Sequence, residues 1–273
     1  MRFFKKIFNF YINASIHVAL SVYSLLRITE FYFNLPYNEN LNYFLFFGTI
    51  TGYNFVKYVG VAKLHHKSLT NDLKIIQIFS FFCFLLMLFY AFRISTNTLL
   101  LCLPFGFLTL LYTIPFLSGF SKNLRQISYL KIIVVALVWA ACTVLLPVFD
   151  ALNEISTKTI FIIIQRFLIV IVLILPFDIR DVKYDAISLQ TIPKKIGVKA
   201  TKRLGLALLL FTLIIEFLYS SNNTTKNAFV IFFFLTIVFL MRSKISQPKY
   251  LSSFWVESLP IFWWLFILGI NHF

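Results

Sequence analysis

Residues 160–185 read IFIIIQRFLIVIVLILPFDIRDVKYD. The stretch from Ile160 to Phe177 is apolar apart from Gln165 and Arg166. At about 1.5 Å per residue, a helix of this length crosses most of a bilayer core of roughly 30 Å. Immediately after Pro176-Phe177 come Asp178, Asp181 and Asp185, at i, i+3 and i+7. On a helix that spacing puts all three carboxylates on one face, within about 60° of each other. Like charges so close repel unless a cation sits among them. The stretch lies where a membrane helix meets water, so it reads as a divalent-metal site at the mouth of a membrane cavity.

The rest of the chain agrees with a membrane setting. Of 273 residues, 60 % are hydrophobic and 13 % charged, with a mean hydropathy of +0.85. A soluble domain would not cover so much apolar surface with so few charges. In lipid every backbone polar group must pair internally, and β-barrel alternation is absent, which leaves helices as the spanning element. Nine spans are read, at roughly 10–27, 41–56, 75–92, 98–117, 130–149, 159–177, 204–219, 228–241 and 254–270. The expectation is an all-α polytopic membrane protein, about nine transmembrane helices in a single domain over 1–273. No cleavable signal peptide is expected: Arg2, Lys5 and Lys6 precede an apolar segment, but no small-residue cleavage site with a polar mature domain follows.

Orientation follows from Lys and Arg. The first tail and every second connection carry all of the 25 basic residues except Arg27, Arg93, Lys158, Lys226 and the intraspan Arg166. The N-terminus and the Asp-rich loop are therefore expected in the cytoplasm, and an odd number of spans puts the C-terminus outside. The net charge of +15 is mostly this bias and needs no nucleic-acid partner. Cys83, Cys102 and Cys142 share no close spacing and read as small hydrophobes. Arg166 and Glu216 are expensive in lipid and are expected to face the bundle interior, where they can pair. Asn13 and His17, four apart, read as helix–helix glue, and Gly48-x-x-x-Gly52 as a close-packing face. Glu257 and Trp255 open the last span and read as interfacial residues.

The Asp-rich loop continues as Thr191-Ile192-Pro193-Lys194-Lys195-Ile196-Gly197. This run resembles the second acidic motif of UbiA-type intramembrane prenyltransferases, D-x-x-D-x-x-x-D followed by T-[LI]-P-x-x-[LI]-G. Tyr112-Thr113-Ile114-Pro115, ending the fourth span, is similar to the family's Y-[ST]-x-P. The first acidic motif, broadly N-x-x-x-D-x-x-x-D at the end of the second span, is degenerate here: Asn54 matches, but Tyr58 and Ala62 stand at the aspartate positions. The resemblance implies a UbiA-like bundle around a central cavity. It implies transfer of an isoprenyl group from an isoprenyl diphosphate to a lipophilic acceptor, such as a quinone precursor. Asp178, Asp181 and Asp185 would hold Mg²⁺, with Asp181 and Asp185 catalytic. Asn54, Lys57, Tyr112, Arg125, Lys131 and Lys194 would bind the diphosphate, Lys57 replacing part of the lost metal charge as a point charge. The setting would be membrane lipid, in a bacterial inner membrane. Loss of the first motif also fits a diverged member that binds an isoprenoid or quinone without catalysis. A transporter, with Arg166 and Glu216 lining a path, is the third alternative, and no internal repeat supports it.

Overall fold

The computed structural model describes residues 2–64, 71–113, 129–183, 191–220 and 222–272. Among the described residues eleven α-helices follow one another: α1 (Arg2–Asn13), α2 (Ile16–Tyr32), α3 (Glu39–Leu64), α4 (Asn71–Ala91), α5 (Thr96–Thr113), α6 (Leu130–Ala140), α7 (Leu146–Leu152), α8 (Thr157–Asp181), α9 (Ile192–Tyr219), α10 (Asn223–Arg242) and α11 (Leu259–His272). A π-helical turn, Ala141–Leu145, joins α6 to α7, and a second, Leu251–Val256, leads into α11. Six segments among the described residues are long and apolar enough to cross a membrane: Asn71–Ala91, Thr96–Thr113, Leu130–Leu152, Thr157–Asp181, Asn223–Arg242 and Leu251–Asn271. Nine spans are expected and six segments among the described residues meet the requirement, and the chain is an integral membrane protein by this architecture.

The first expected span, 10–27, straddles a break. Ser15 lies in the left-handed region (φ 62°, ψ 18°) between α1 and α2. An L-residue there is uncommon and needs outside support. Asn54 of α3 provides it by donating to the Ala14 carbonyl at 3.0 Å and accepting from Ser15 Oγ at 2.7 Å. Asn13 and His17 are therefore not on one helical face. His17 is still glue: it meets Tyr11 at 2.7 Å and, through Nε2, the Phe254 carbonyl at 2.9 Å.

Lipid is as apolar as a leucine side chain, so the helices are held by close packing and polar contacts rather than by escape from water. The main core joins α2, α8, α9, α10 and α11 around Trp263, which is wholly buried, stacked on Phe232 at 4.6 Å and edge-on to Phe229 at 5.3 Å. Only 11 % of the α4 span and 17 % of the α5 span is buried, so these two form the lipid-facing flank. The expected small-residue contact is only half made. Gly48 packs against Met87, but Gly52 has nothing within 4 Å of where a Cβ would stand. The tight approach is at Gly205 instead, where a Cβ would meet Leu240 Cδ2 at 2.7 Å and Leu175 Cδ1 at 2.9 Å.

Arg166 and Glu216 both face the interior but do not touch. Glu216 accepts from Tyr32 Oη at 2.7 Å and Gln165 Nε2 at 2.8 Å. Arg166 donates to the Leu25 carbonyl at 2.8 Å and sits over the Trp263 ring at 5.4 Å. Neutral groups reach each charge first, and the pair is coupled only at a distance. Gly205→Val should lower stability by about 1–3 kcal/mol through overpacking of α9 on α8 and α10. Thermal unfolding in detergent, compared with Gly52→Ala as a neutral control, measures it.

Candidate functional site

Asp178 and Asp181 both lie in the last turn of α8, as the spacing required, but cations meet them there. Asp178 is wholly buried, and Lys131 at the start of α6 donates to its Oδ1 at 2.9 Å. Asp181 is flanked by its neighbour Arg180, whose Nε donates at 2.7 Å and whose NH2 donates at 3.2 Å. Asp185 and Arg125 lie outside the described residues. Among the described residues no three His, Cys, Asp or Glu side chains gather as a metal ion would need. The two described carboxylates each meet a cation, Asp178 an ammonium and Asp181 a guanidinium.

The Thr191–Gly197 segment builds the opposite rim. Thr191 stands at the N-cap position of α9, Pro193 occupies its first turn, and Lys195 donates its backbone N–H to the Thr191 carbonyl at 3.0 Å. Gly197 then leaves the helix with φ 83° and ψ 157°, a conformation open to glycine and strained for other residues. The helical turn carrying Lys194 and Lys195 is thus set off from the long helix behind it. The Lys195 ammonium lies 5.3 Å over the Tyr129 ring, which brings this rim against the start of α6.

The second half of the site is α3. Asn54 is buried, and its amide is fully used: besides Ala14 and Ser15 it donates to Ser80 Oγ at 2.7 Å. Its place is that of a brace. Ser15 Oγ, which donates to Asn54, also accepts from Lys57 Nζ at 2.8 Å. Asn54 thereby positions Lys57 through Ser15. Tyr53 Oη accepts from Trp139 Nε1 at 2.7 Å, tying α3 to α6, and Tyr112 is buried within electrostatic reach of Tyr53. Tyr58, at a position where the resemblance expects aspartate, donates to the Asn13 carbonyl at 3.0 Å.

Sequence reasoning missed Glu257, between the second π-helical turn and α11. Its field reaches Lys57 on α3 and Arg180 on α8, and also Tyr53 and Tyr11. Tyr53 and Glu257 are partly exposed, and Lys57 is exposed. A cue existed in retrospect: Glu257 is the one acidic residue between Glu216 and the C-terminus. At the other end of the bundle, a cleft of about 490 Å³ is lined by Glu30, Asn38, Glu39 and Asp150. Its groups bond one another and nearby side chains: Asn38 and Thr98 donate to Asp150, and Arg27 and Asn42 to Glu30. None of the expected site residues lines it.

Three solved structures share this architecture. A UbiA homolog from Archaeoglobus fulgidus bound to GPP and Mg²⁺ matches with a TM-score of 0.59 and 14 % identity, over 97 % of this chain and 100 % of that one. The same kind of homolog bound to DMAPP and Mg²⁺ matches at 0.60 and 13 %, over 96 % and 99 %. A digeranylgeranylglyceryl phosphate synthase matches at 0.59 and 14 %, over 98 % and 100 %. The fold is UbiA-like. No family model matches the sequence, and no curated protein matches it. The likeness therefore lies in the helix arrangement, over nearly the whole of both chains.

Lys131→Met should destabilise the protein by about 3–5 kcal/mol, because it removes the ammonium that neutralises buried Asp178. Adding Asp178→Asn should restore much of the loss. Thermal unfolding of the single and double variants in the same detergent measures the coupling.

Proposed function

We propose that this protein is a membrane prenyltransferase: it takes an isoprenyl diphosphate into the bundle and transfers the isoprenyl group to a lipophilic acceptor. One observation carries the reading. Lys57, Lys131 and Arg180 are placed by three different helices around one end of a UbiA-like bundle, beside Asp178 and Asp181. Three cations at one end of the bundle suit a ligand head of two or three negative charges. Tyr53, Trp139 and Tyr112 offer aromatic walls next to it.

In this reading the diphosphate head lies against Lys57, Lys131 and Arg180, and the isoprenyl tail extends among the apolar side chains of the bundle. The cations stabilise the charge that grows on the departing diphosphate, in a setting of low dielectric where each is worth more than in water. The enclosing helices keep water from the allylic cation. Lys194 and Lys195, on the turn set off by Gly197, add charge at the rim, and Arg125 is proposed to do the same. Mg²⁺ would supply further positive charge; Asp181 and Asp185 are the side chains proposed for it. The proposed topology keeps the N-terminus cytoplasmic and the C-terminus outside, in a bacterial inner membrane.

The pairing of Asp178 and Asp181 with cations favours a second reading, an isoprenoid-binding protein without turnover. Both readings meet one assay: purified protein in lipid with radiolabelled geranyl diphosphate, with and without Mg²⁺, and a panel of quinoid and other lipophilic acceptors. The transferase predicts labelled product, lost with Asp181→Ala. Lys57→Ala should weaken geranyl diphosphate binding about tenfold or more, the worth of one charge-assisted hydrogen bond to phosphate. Binding without product from any acceptor would establish the second reading, and no binding would overturn both.

A further inference from the structure

The first helix does not run on into the second. In an unbroken helix Phe8 and His17 would stand on opposite faces, roughly 13 Å apart along the axis. Yet both meet one ring: Phe254 lies edge-on to Phe8 at 5.2 Å and stacked on His17 at 4.8 Å. Tyr11 also reaches His17, at 2.7 Å, across the left-handed backbone of Ser15. The break therefore turns α1 off the axis of α2. The second half of α1 is fastened to the bundle. Phe10 packs edge-on against Phe79 of α4 at 5.5 Å, Tyr250 donates to Asn9 Oδ1 at 2.8 Å, and Tyr58 of α3 donates to the Asn13 carbonyl at 3.0 Å.

The first half is left uncovered, and in a pattern. Phe3, Phe4 and Ile7 are 69 %, 76 % and 51 % exposed. At about 100° per residue they share an arc of about 100°. Lys5, Lys6, Asn9 and Asn13 share a second arc of about 100° on the opposite side. Lys5 and Lys6 are exposed and make no ion pair among the described residues, and Lys249 stands beside Asn9 at 3.5 Å. Water does not favour three large apolar side chains so placed, and the acyl core does not take ammonium groups. The headgroup layer suits both faces: there an amphipathic helix lies flat, its apolar side in the acyl boundary and its cations among the lipid phosphates. The chain is a membrane protein, so this layer borders its own bundle. A second copy meeting α1 through the same helix would double the positive charge and bring nothing to neutralise it.

We propose that α1 is an interfacial helix that docks on the anionic leaflet at its own end of the bundle, with Phe3, Phe4 and Ile7 in the acyl boundary and Lys5, Lys6 and Lys249 on the acidic headgroups. This rests on the membrane setting and on the break at Ser15, and not on the transferase reading.

The test uses the full-length protein in lipid nanodiscs, one copy per disc. The discs are made of phosphatidylcholine alone, or of phosphatidylcholine and phosphatidylglycerol in equal parts. Hydrogen–deuterium exchange of the backbone amides of α1 reads docking, and that of α8 is the control. Phosphatidylglycerol should slow exchange in α1 by about fivefold or more, the worth of one lysine near an anionic surface, and leave α8 unchanged. Lys5→Gln with Lys6→Gln should remove most of that difference. Raising the salt to about 1 M, where the screening length falls to about 3 Å, should do the same. Phe3→Ser with Phe4→Ser should speed exchange in both lipids. All four substituted side chains are exposed, so the fold should hold, and the α8 amides check it. Equal exchange in the two lipids would overturn the proposal, as would a difference that survives the two lysine substitutions. Exchange unmoved by the two phenylalanine substitutions would show that α1 is not inserted, and would also overturn it. Slow exchange found only in discs holding two copies would give the face to a second copy instead.

Discussion

Lys131 meets Asp178 at 2.9 Å where α6 begins and α8 ends, and the remainder of the site is arranged around that contact. A carboxylate with no solvent access in a membrane bundle must be neutralised or bonded. Here the need is met from another helix, so the charge also fixes geometry. The start of α6 is drawn against the end of α8, and the first turn of α9 joins them through Lys195 and Tyr129. Arg180 and Asp181 then fall one turn further along, at the rim. A buried ion pair of this kind contributes little net stability against an apolar replacement, but it strongly penalises any arrangement that separates the partners.

The two ends of the bundle handle polarity differently. Around Arg166 and Glu216 the charges are closed in by Tyr32, Gln165, Thr29 and the Leu25 carbonyl, with Trp263 across the guanidinium. That network offers hydrogen bonds mainly to itself and serves packing. At the α1 end the polar groups are braced from behind and open in front. Asn54 holds Ser15, Ser15 holds Lys57, and Ser21 and His17 hold the backbone around Glu257. Rigid supports behind accessible charged heads are the arrangement that binding demands, because the ordering cost is met before the ligand arrives.

The helical spans were legible because a run of apolar residues has one use in a chain this poor in charge. Asp178 and Asp181 were legible as sharing a face because i and i+3 is a property of a single helix. What lay between helices was not. Nothing near Asp178 in sequence announces Lys131, forty-seven positions away. The break at Ser15 sits inside an apolar segment, and its left-handed backbone is paid for by Asn54, so it cannot be read from residues 10–27 alone. Asn54 was noticed as a ligand candidate, whereas its amide is consumed by the break it supports. Glu257 read as interfacial because a carboxylate at a span's edge ordinarily is; only the fold turns it towards Lys57 and Arg180. The degenerate first motif, with Tyr58 and Ala62, was visible at once, but its consequence, a site in which cations hold the described carboxylates, was not.

A π-helical turn contains one residue more than an α-helix would use, and a residue on a helix is worth about 100° of rotation. Leu251–Val256 is such a turn, placed immediately before Glu257 and the fully buried Trp263. Removing a single residue from it would leave every other side chain intact and still rotate all that follows. Glu257 would turn away from Lys57 and Arg180, and Trp263 would leave its place against Phe232. The phase of the last helix is therefore written as an insertion: a chain one residue shorter there would have the same span and a different interior.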